Sequence, residues 1–433
     1  MLPGLPTASQ NGSVLRSSVV RNSKARIVLL DKNSWDDDAS QGSSRSSFQA
    51  ELDTGVAFIQ DDWQPKTQAN CTPKADWQVQ SNPNCNSIHE ISMPGTNEDE
   101  ALTILGEGWF RTTWRWGKTV LKTLRIERDF LSEYYELHRR DAVAMERLTS
   151  SPFVVNIYGY CGQSAVNELA DFPFPGIQNL EAFNKRMRGN NSPKASSIKL
   201  RMAASIALGL ADIHAGGEST EENSNVMMTH YDLNPRNIAL FAGGKPKIND
   251  FNIAEFMQVN RATNETCPFP SRLHEPWWRA PEEMDTTHKS MVNEKVDVYA
   301  LGNILYHTLT THSSRGAQKK ERMDHVRPLV AAGVQPIIPR QYTDSSDPSV
   351  QAMISAIHLC WAKDSSERAS AAEVAQVLYD ALAALSGAED KNDTGGEQEA
   401  NQRNESPGAG EQGDDEVSDN TMEDKKALTR IGA

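Results

Sequence analysis

Apolar positions change their spacing several times along this chain, and each change marks a different element. Between Arg128 and Leu148 they recur at helical intervals, placing Tyr134, Leu137, Met145 and Leu148 on one face. Asp141 is the only charge on that stripe, and an acid on an apolar face must pair or bear the cost of desolvation. Ile198 to Ala215 repeats the amphipathic pattern as a second helix. From Glu98 onward the pattern alternates, through LGEGWFRTTWRWGKTVLKTL, as strands do. Phe153–Tyr158 and Ser164–Leu169 read as two more strands. Asn237–Phe241 and a short segment ending at Ile248 flank the turn Gly243–Pro246, which predicts a hairpin with Asp232 just before it and Asp250 just after.

The two ends of the chain are different. Residues 1–98 are rich in Ser, Asn, Gln and Asp with only short apolar runs, which predicts weak structure. The exception is a segment near 71–93, expected to dock on the neighbouring domain through Trp77 and Ile88. Residues 387–433 contain no aromatic side chain and carry 13 acids against 5 bases, the composition of a disordered acidic tail. The folded domain is therefore expected over 99–386. With 433 residues, 38% of them apolar, the chain can bury a substantial core. Its formal charge of −14 argues against a nucleic acid partner. No run of about 18 apolar residues predicts a membrane span.

The two acids of the hairpin carry the candidate chemistry. One carboxylate can orient an attacking hydroxyl, while the other, with the amide of Asn237, can hold Mg²⁺ on nucleotide phosphates. His230-Tyr-Asp232 with Asn237, followed by Asp250-Phe-Asn252, resembles the HRD-x-x-x-x-N and DFG motifs of the protein kinase superfamily. Gly106 and Gly108 resemble its nucleotide-covering loop, and Val120-Leu-Lys122 its phosphate-binding lysine. Asp141 stands nineteen residues after Lys122, where the family carries a helix glutamate. Ala280-Pro-Glu282, Asp297 in VDVYALG, and Arg368 resemble the end of the activation segment, the acid that accepts from the catalytic-loop backbone, and the partner of Glu282.

The resemblance implies an α+β fold of two lobes, the smaller β-rich and ending near residue 169, the larger mainly helical. It implies an ATP- and Mg²⁺-dependent transfer to a protein hydroxyl, Ser or Thr before Tyr, or else a pseudokinase that binds ATP or acts as a scaffold. Asp232, Lys122, Asp141 and Arg236 are the implied catalytic set. Gly106, Gly108, Lys122, Glu168 and Asn237 would bind the nucleotide, Asn237 and Asp250 the metal, and Asn167 sits at the back of the adenine pocket.

Several positions depart from the family pattern. Tyr231 replaces an arginine that would dock a phosphorylated activation loop, Asn234 replaces a lysine, and Arg236 could supply that missing charge. Arg111 stands at the third glycine of the nucleotide loop, where it could clasp a phosphate or obstruct it. Asn252 replaces the glycine of DFG and is a residue type that tolerates positive φ.

Compartment signals conflict. The lack of a signal peptide favours the cytoplasm, with Cys161 and Cys360 as plain thiols in apolar contexts. Sequons at Asn11, Asn70, Asn190, Asn264, Asn392 and Asn404 fit a secretory lumen. So does the Cys71/Cys85 pair, expected to lie with Cα atoms within about 7 Å.

Overall fold

The computed structural model describes residues 70–80, 102–174, 176–190, 192–217, 226–272, 275–285 and 290–400, with side chains of the last helix described to residue 386. Strands Thr103–Glu107 (β2), Arg111–Trp116 (β3), Thr119–Leu124 (β4), Ile157–Cys161 (β5) and Ser164–Glu168 (β6) form an antiparallel sheet ordered β2-β3-β4-β6-β5. A three-residue strand, Cys71–Pro73 (β1), precedes them. The run beginning at Phe153 was expected to be extended from that residue. Instead Phe153 to Val155 are buried and bridge to Ile248, and the strand starts only at Ile157.

Side-chain parity in this sheet places the site. Successive strand residues face opposite sides, so Val120 and Lys122 share one face of β4. Lys122 pairs with Thr113 on one side and Ala165 on the other, and Val120 pairs with Asn167. Arg111, two residues before Thr113, therefore lies on the same face as Lys122 and Asn167.

Against this face packs the helix Ser132–Arg147 (α2), which follows a one-turn helix, Trp77–Gln80 (α1). The expected stripe of Tyr134, Leu137, Asp141 and Met145 is buried, though the helix begins at Ser132 rather than Arg128. Phe110 stacks on Tyr134, with ring centroids 5.6 Å apart and planes inclined by 9°. That contact pins the loop between β2 and β3 to α2.

The second lobe is built on Leu180–Arg186 (α3), Pro193–Ala215 (α4), Lys295–Thr310 (α5), Pro348–Cys360 (α6) and Ala371–Ala400 (α7). Ser192 caps α4 with its hydroxyl on the Ala195 amide, and Pro193 begins the helix, a combination that fixes its start. The last helix runs through the composition boundary at 386 and its described backbone ends at Ala400. One continuous core, from Ala144 through α4, α5 and α6 to Leu378, joins the lobes. The hairpin is Ile238–Phe241 (β7) and Lys245–Ile248 (β8), turned by Gly243 and Gly244 at φ near 75°. Among the described residues no helix is long and apolar enough to cross a membrane.

The activation segment carries Gln258–Asn260 (β9) and Thr266–Cys267 (β10), and β1 joins them in a three-stranded sheet ordered β1-β9-β10. Cys71 is disulfide-bonded to Cys267, with Cα atoms 6.3 Å apart. This corrects the expected Cys71/Cys85 pairing: strand pairing with β9, not proximity in sequence, selects the partner. Cys85 and Ile88 lie outside the described residues. Trp77 docks as expected, edge-on to Phe256 and under the Arg147 guanidinium. Cys161 is also disulfide-bonded rather than a plain thiol. It ends the sheet's edge strand β5 and is only part-buried, so it was never a core position. Cys360 is the buried free thiol, its pKa raised by burial.

Candidate active site

The cleft between the lobes holds about 460 Å³ and is lined by Gly106, Gly108, Arg111, Lys122, Asn167 and Glu168 from above, and by Asp232, Arg236 and Asp250 from below. Its floor is set from beneath. Asp297 of α5 is 1% exposed and accepts from the amides of His230 at 2.6 Å and Tyr231 at 2.8 Å, which fixes the catalytic-loop backbone as expected. The Arg368 guanidinium meets Glu282 at 2.5 and 2.7 Å, the other expected pair.

Asp232 is held by both oxygens. Asn237 donates to Oδ2 at 3.0 Å, and Arg279 donates to Oδ1 at 2.7 Å. Burial pushes its carboxyl pKa up, and Arg279 opposes that shift. Asn234, at the position of the missing lysine, donates to the Asp232 carbonyl at 2.9 Å and accepts from the Arg236 amide at 3.0 Å, so it shapes the loop. Tyr231 is buried where the arginine was expected. It stacks edge-on against Phe269, and its hydroxyl accepts from the Arg272 amide at 2.8 Å. The activation segment is thus tied to the catalytic loop without a phosphate.

Lys122 and Asp141 meet at 3.3 Å, as the sequence predicted. Arg111 is nearer still: its guanidinium donates to the same oxygen of Asp141 at 2.5 Å, and also to Asp250. The other oxygen of Asp141 accepts from the Phe251 amide at 2.7 Å. Burial alone would raise the Asp141 pKa, but Arg111 and Lys122 together hold it well below the carboxylate range. Lys122 also donates to Asn249 at 3.1 Å. The short side chain of Asp141 is therefore compensated by a second cation from β3. Sheet parity was the signal that could have assigned it.

One expected detail comes out differently, and other expected residues have partners of their own in the cleft. The left-handed backbone near DFN falls on Asp250, φ 71°, and on Tyr231, φ 63°, while Asn252 is not among the positive-φ residues. Glu168 lines the cleft, but its carboxylate is engaged by Lys247 at 2.8 and 2.9 Å and by the Asn156 amide at 3.1 Å. Arg236 is exposed at the cleft mouth, 3.5 Å from Glu181, and no hydrogen bond joins it to Asp232 among the described residues. Asp250, one of the two expected Mg²⁺ ligands, already carries the Arg111 guanidinium, and the Asn237 amide nitrogen is bonded to Asp232. The arginine sits where a divalent ion would bring its charge, while the side-chain oxygen of Asn237 and the second oxygen of Asp250, which accept no hydrogen bond among the described residues, are the atoms that would hold a metal.

Comparison with known proteins bears on the same residues. Residues 110–379 match the protein kinase domain family. A receptor-like serine/threonine-protein kinase of Arabidopsis thaliana is 24% identical over 298 residues, covering 67% of this chain and 64% of the relative. A leucine-rich repeat receptor-like protein kinase of the same plant, presumed inactive by its name, is 24% identical over 290 residues, 63% of this chain and 27% of its own. The dual specificity protein kinase shkA of Dictyostelium discoideum is 26% identical over 254 residues, covering 55% and 42% of the two chains. This chain thus spans less than two thirds of these relatives. With the match covering well over half of its length and falling on the lobes and cleft described above, the chain belongs to the protein kinase family.

Proposed function

We propose that this chain is a nucleotide-binding kinase-fold module in which ATP binding, rather than fast phosphotransfer, is the retained property. The observation that carries this reading is the Arg111 guanidinium paired with both Asp141 and Asp250. A carboxylate with one oxygen on a buried guanidinium is a weakened metal ligand, and phosphotransfer in this family depends on that acid. At the far end of the cleft the side-chain carbonyl of Asn167 is buried with no hydrogen-bond partner among the described residues. A buried unpaired acceptor is costly, and the exocyclic amine of adenine would satisfy it. Its role would then be that of a module whose conformation, and hence its protein partner, responds to nucleotide.

A second reading, a working kinase that phosphorylates protein Ser or Thr hydroxyls, is favoured by the intact Asp232–Asn237 pair and by the serine/threonine and dual-specificity relatives. It requires Arg111 to release Asp250, so that Asn237 and Asp250 could take the metal. Incubation with radiolabelled ATP, Mg²⁺ and a degenerate peptide library separates the two. Equal residual turnover in wild type, Asp232→Asn and Asp250→Asn supports the binding module. A drop of about a hundredfold or more in Asp232→Asn establishes the enzyme.

We also infer an oxidising compartment, against the cytoplasmic expectation. The reading is supported by Cys71–Cys267 and by the disulfide-bonded Cys161, since reducing compartments rarely keep such bonds. The sequons at Asn70, Asn190 and Asn264 are all exposed, and Asn70 and Asn264 adopt left-handed turns beside the bridged strands. A mobility shift on endoglycosidase treatment of the protein made in a secretory host would support this. Unmodified asparagines together with free thiols would return the chain to the cytoplasm.

A further inference from the structure

We infer that the cleft takes a nucleoside polyphosphate without a divalent cation, with Arg111 as the built-in positive charge on which the phosphates settle. The inference rests on the nucleotide-binding reading above and adds how the charge of the ligand is met.

Three features of the molecule lead there. The first is placement: Arg111 is 6% exposed, it is held in the roof by the β3–β4 pairing, and its neighbour Phe110 is stacked on Tyr134. It is therefore a fixed part of the site and no wandering surface side chain. The second is charge. Arg111 and Lys122 are both nearly buried and face the two carboxylates of Asp141 and Asp250, which makes the cluster neutral. With glycine at 111 the same cluster would carry one net negative charge and would repel phosphate unless a metal intervened. The third is donor capacity. A guanidinium has five N–H donors in a rigid fork, and Asp141 and Asp250 each take one. The fork suits phosphate oxygens, and arginine keeps its charge at any pH at which the protein is folded.

Arg111 would thus do two things. It takes one oxygen of Asp250 and offsets that acid's charge, which weakens its hold on a metal, and it supplies a donor group in the region the phosphates must enter. Gly106 and Gly108 leave room beside it, since a Cβ at Gly106 would meet nothing within 4 Å. At the other end, the unpaired Asn167 carbonyl meets the base.

The test is ATP binding to the full chain by calorimetry, in excess EDTA and in excess Mg²⁺, for wild type and Arg111→Gly. Wild type should bind ATP with dissociation constants that agree within about threefold in the two buffers. Arg111→Gly should lose about tenfold or more in EDTA and recover it with Mg²⁺, because the vacated Asp250 becomes a metal ligand. Circular dichroism of the variant checks that it folds, and Arg111→Met serves if it does not, with the same loss expected in EDTA. Wild-type binding that is about tenfold or more tighter with Mg²⁺ overturns the inference while leaving the nucleotide reading intact. An undiminished affinity of the folded variant in EDTA also overturns it. Absence of ATP binding in both buffers overturns both.

Discussion

Arg279 and Asp232 are joined by a hydrogen-bonded ion pair of 2.7 Å, so the acid that would orient a substrate hydroxyl is instead neutralised by the segment that would present the substrate. The same guanidinium donates to the Tyr231 carbonyl and lies 3.5 Å from Glu283. It therefore knits the catalytic loop to the short helix Pro281–Met284. Removing one partner of such a cluster strands the others. Arg279→Met is expected to destabilise the domain by about 3 kcal/mol in denaturant titration. In the double variant with Asp232→Asn the two costs should sum to less than their separate values, because the second change removes a charge the first has already orphaned. Strict additivity would show that the pair is not energetically coupled.

The disulfide gives a second test. Lys74 donates to the Val226 carbonyl at 2.6 Å and to Thr266 at 2.7 Å, and Gln78 donates to the carbonyls of Met227 and Met257 at 3.2 and 3.0 Å. The segment around β1 thus closes over the activation segment, and the Cys71–Cys267 bond fastens it there. Cys267→Ala should lower stability by about 2 to 5 kcal/mol and increase amide exchange in β9, whose pairing with β1 is then held by hydrogen bonds alone. Wild type in reductant, which also opens the Cys161 bond, should show the same rise in β9 exchange. Identical exchange in oxidised, reduced and Cys267→Ala protein would show that the bond does not secure the segment.

Much of this architecture was legible because its signals are local. The stripe of Tyr134, Leu137 and Met145, with Asp141 as its one charge, announces both a helix and a buried ion pair, and Lys122 is indeed a partner. Glu282 with Arg368, and Asp297 beneath the catalytic loop, followed from the order of the motifs. What escaped depended on tertiary geometry. Arg111 was visible as an oddity, but its reach to Asp250 follows only once Arg111, Thr113 and Lys122 are known to share a sheet face. The partner of Cys71 lay in a strand of the activation segment far away in sequence, which no spacing rule could select. The positive φ of Asp250 fell on the acid and not on Asn252, because the backbone turns to bring that carboxylate under the cleft roof.

Glu283 sets a pH dependence. It is 1% exposed and burial raises its pKa from 4.5 to about 7, against the opposing pull of Arg279 and the Ala280 amide. A group whose folded pKa is raised stabilises the fold below its unfolded pKa and loses that contribution as pH rises through the folded value. Wild type should therefore lose stability relative to Glu283→Gln between pH 4.5 and about 7, by about 3 kcal/mol in all. Denaturant midpoints of the two proteins across that range provide the measurement. Parallel profiles would mean that Glu283 is ionised as readily in the folded state as in the unfolded chain.

Gly302 offers a test whose sign decides the matter. It lies inside α5, where alanine ordinarily gains about 1 kcal/mol over glycine by limiting the freedom of the unfolded chain. Here a Cβ would stand 2.6 Å from Cβ of Cys360 and 2.8 Å from Cδ1 and Nε1 of Trp361. Cys360 and Trp361 are fully buried at the end of α6, and Trp361 packs on Tyr306. Neither is the free end of a flexible side chain that could step aside. The added methyl must instead push α5 and α6 apart in a core that is close-packed, at a cost of about 1 to 3 kcal/mol or more. Gly302→Ala is accordingly expected to destabilise the domain on balance, read as a lower denaturation midpoint with an unchanged slope. The paired change Gly302→Ala with Trp361→Phe, which trims the facing ring, should recover part of the loss attributable to the clash relative to Trp361→Phe alone. A more stable Gly302→Ala protein would mean that the two helices do not approach as closely as described.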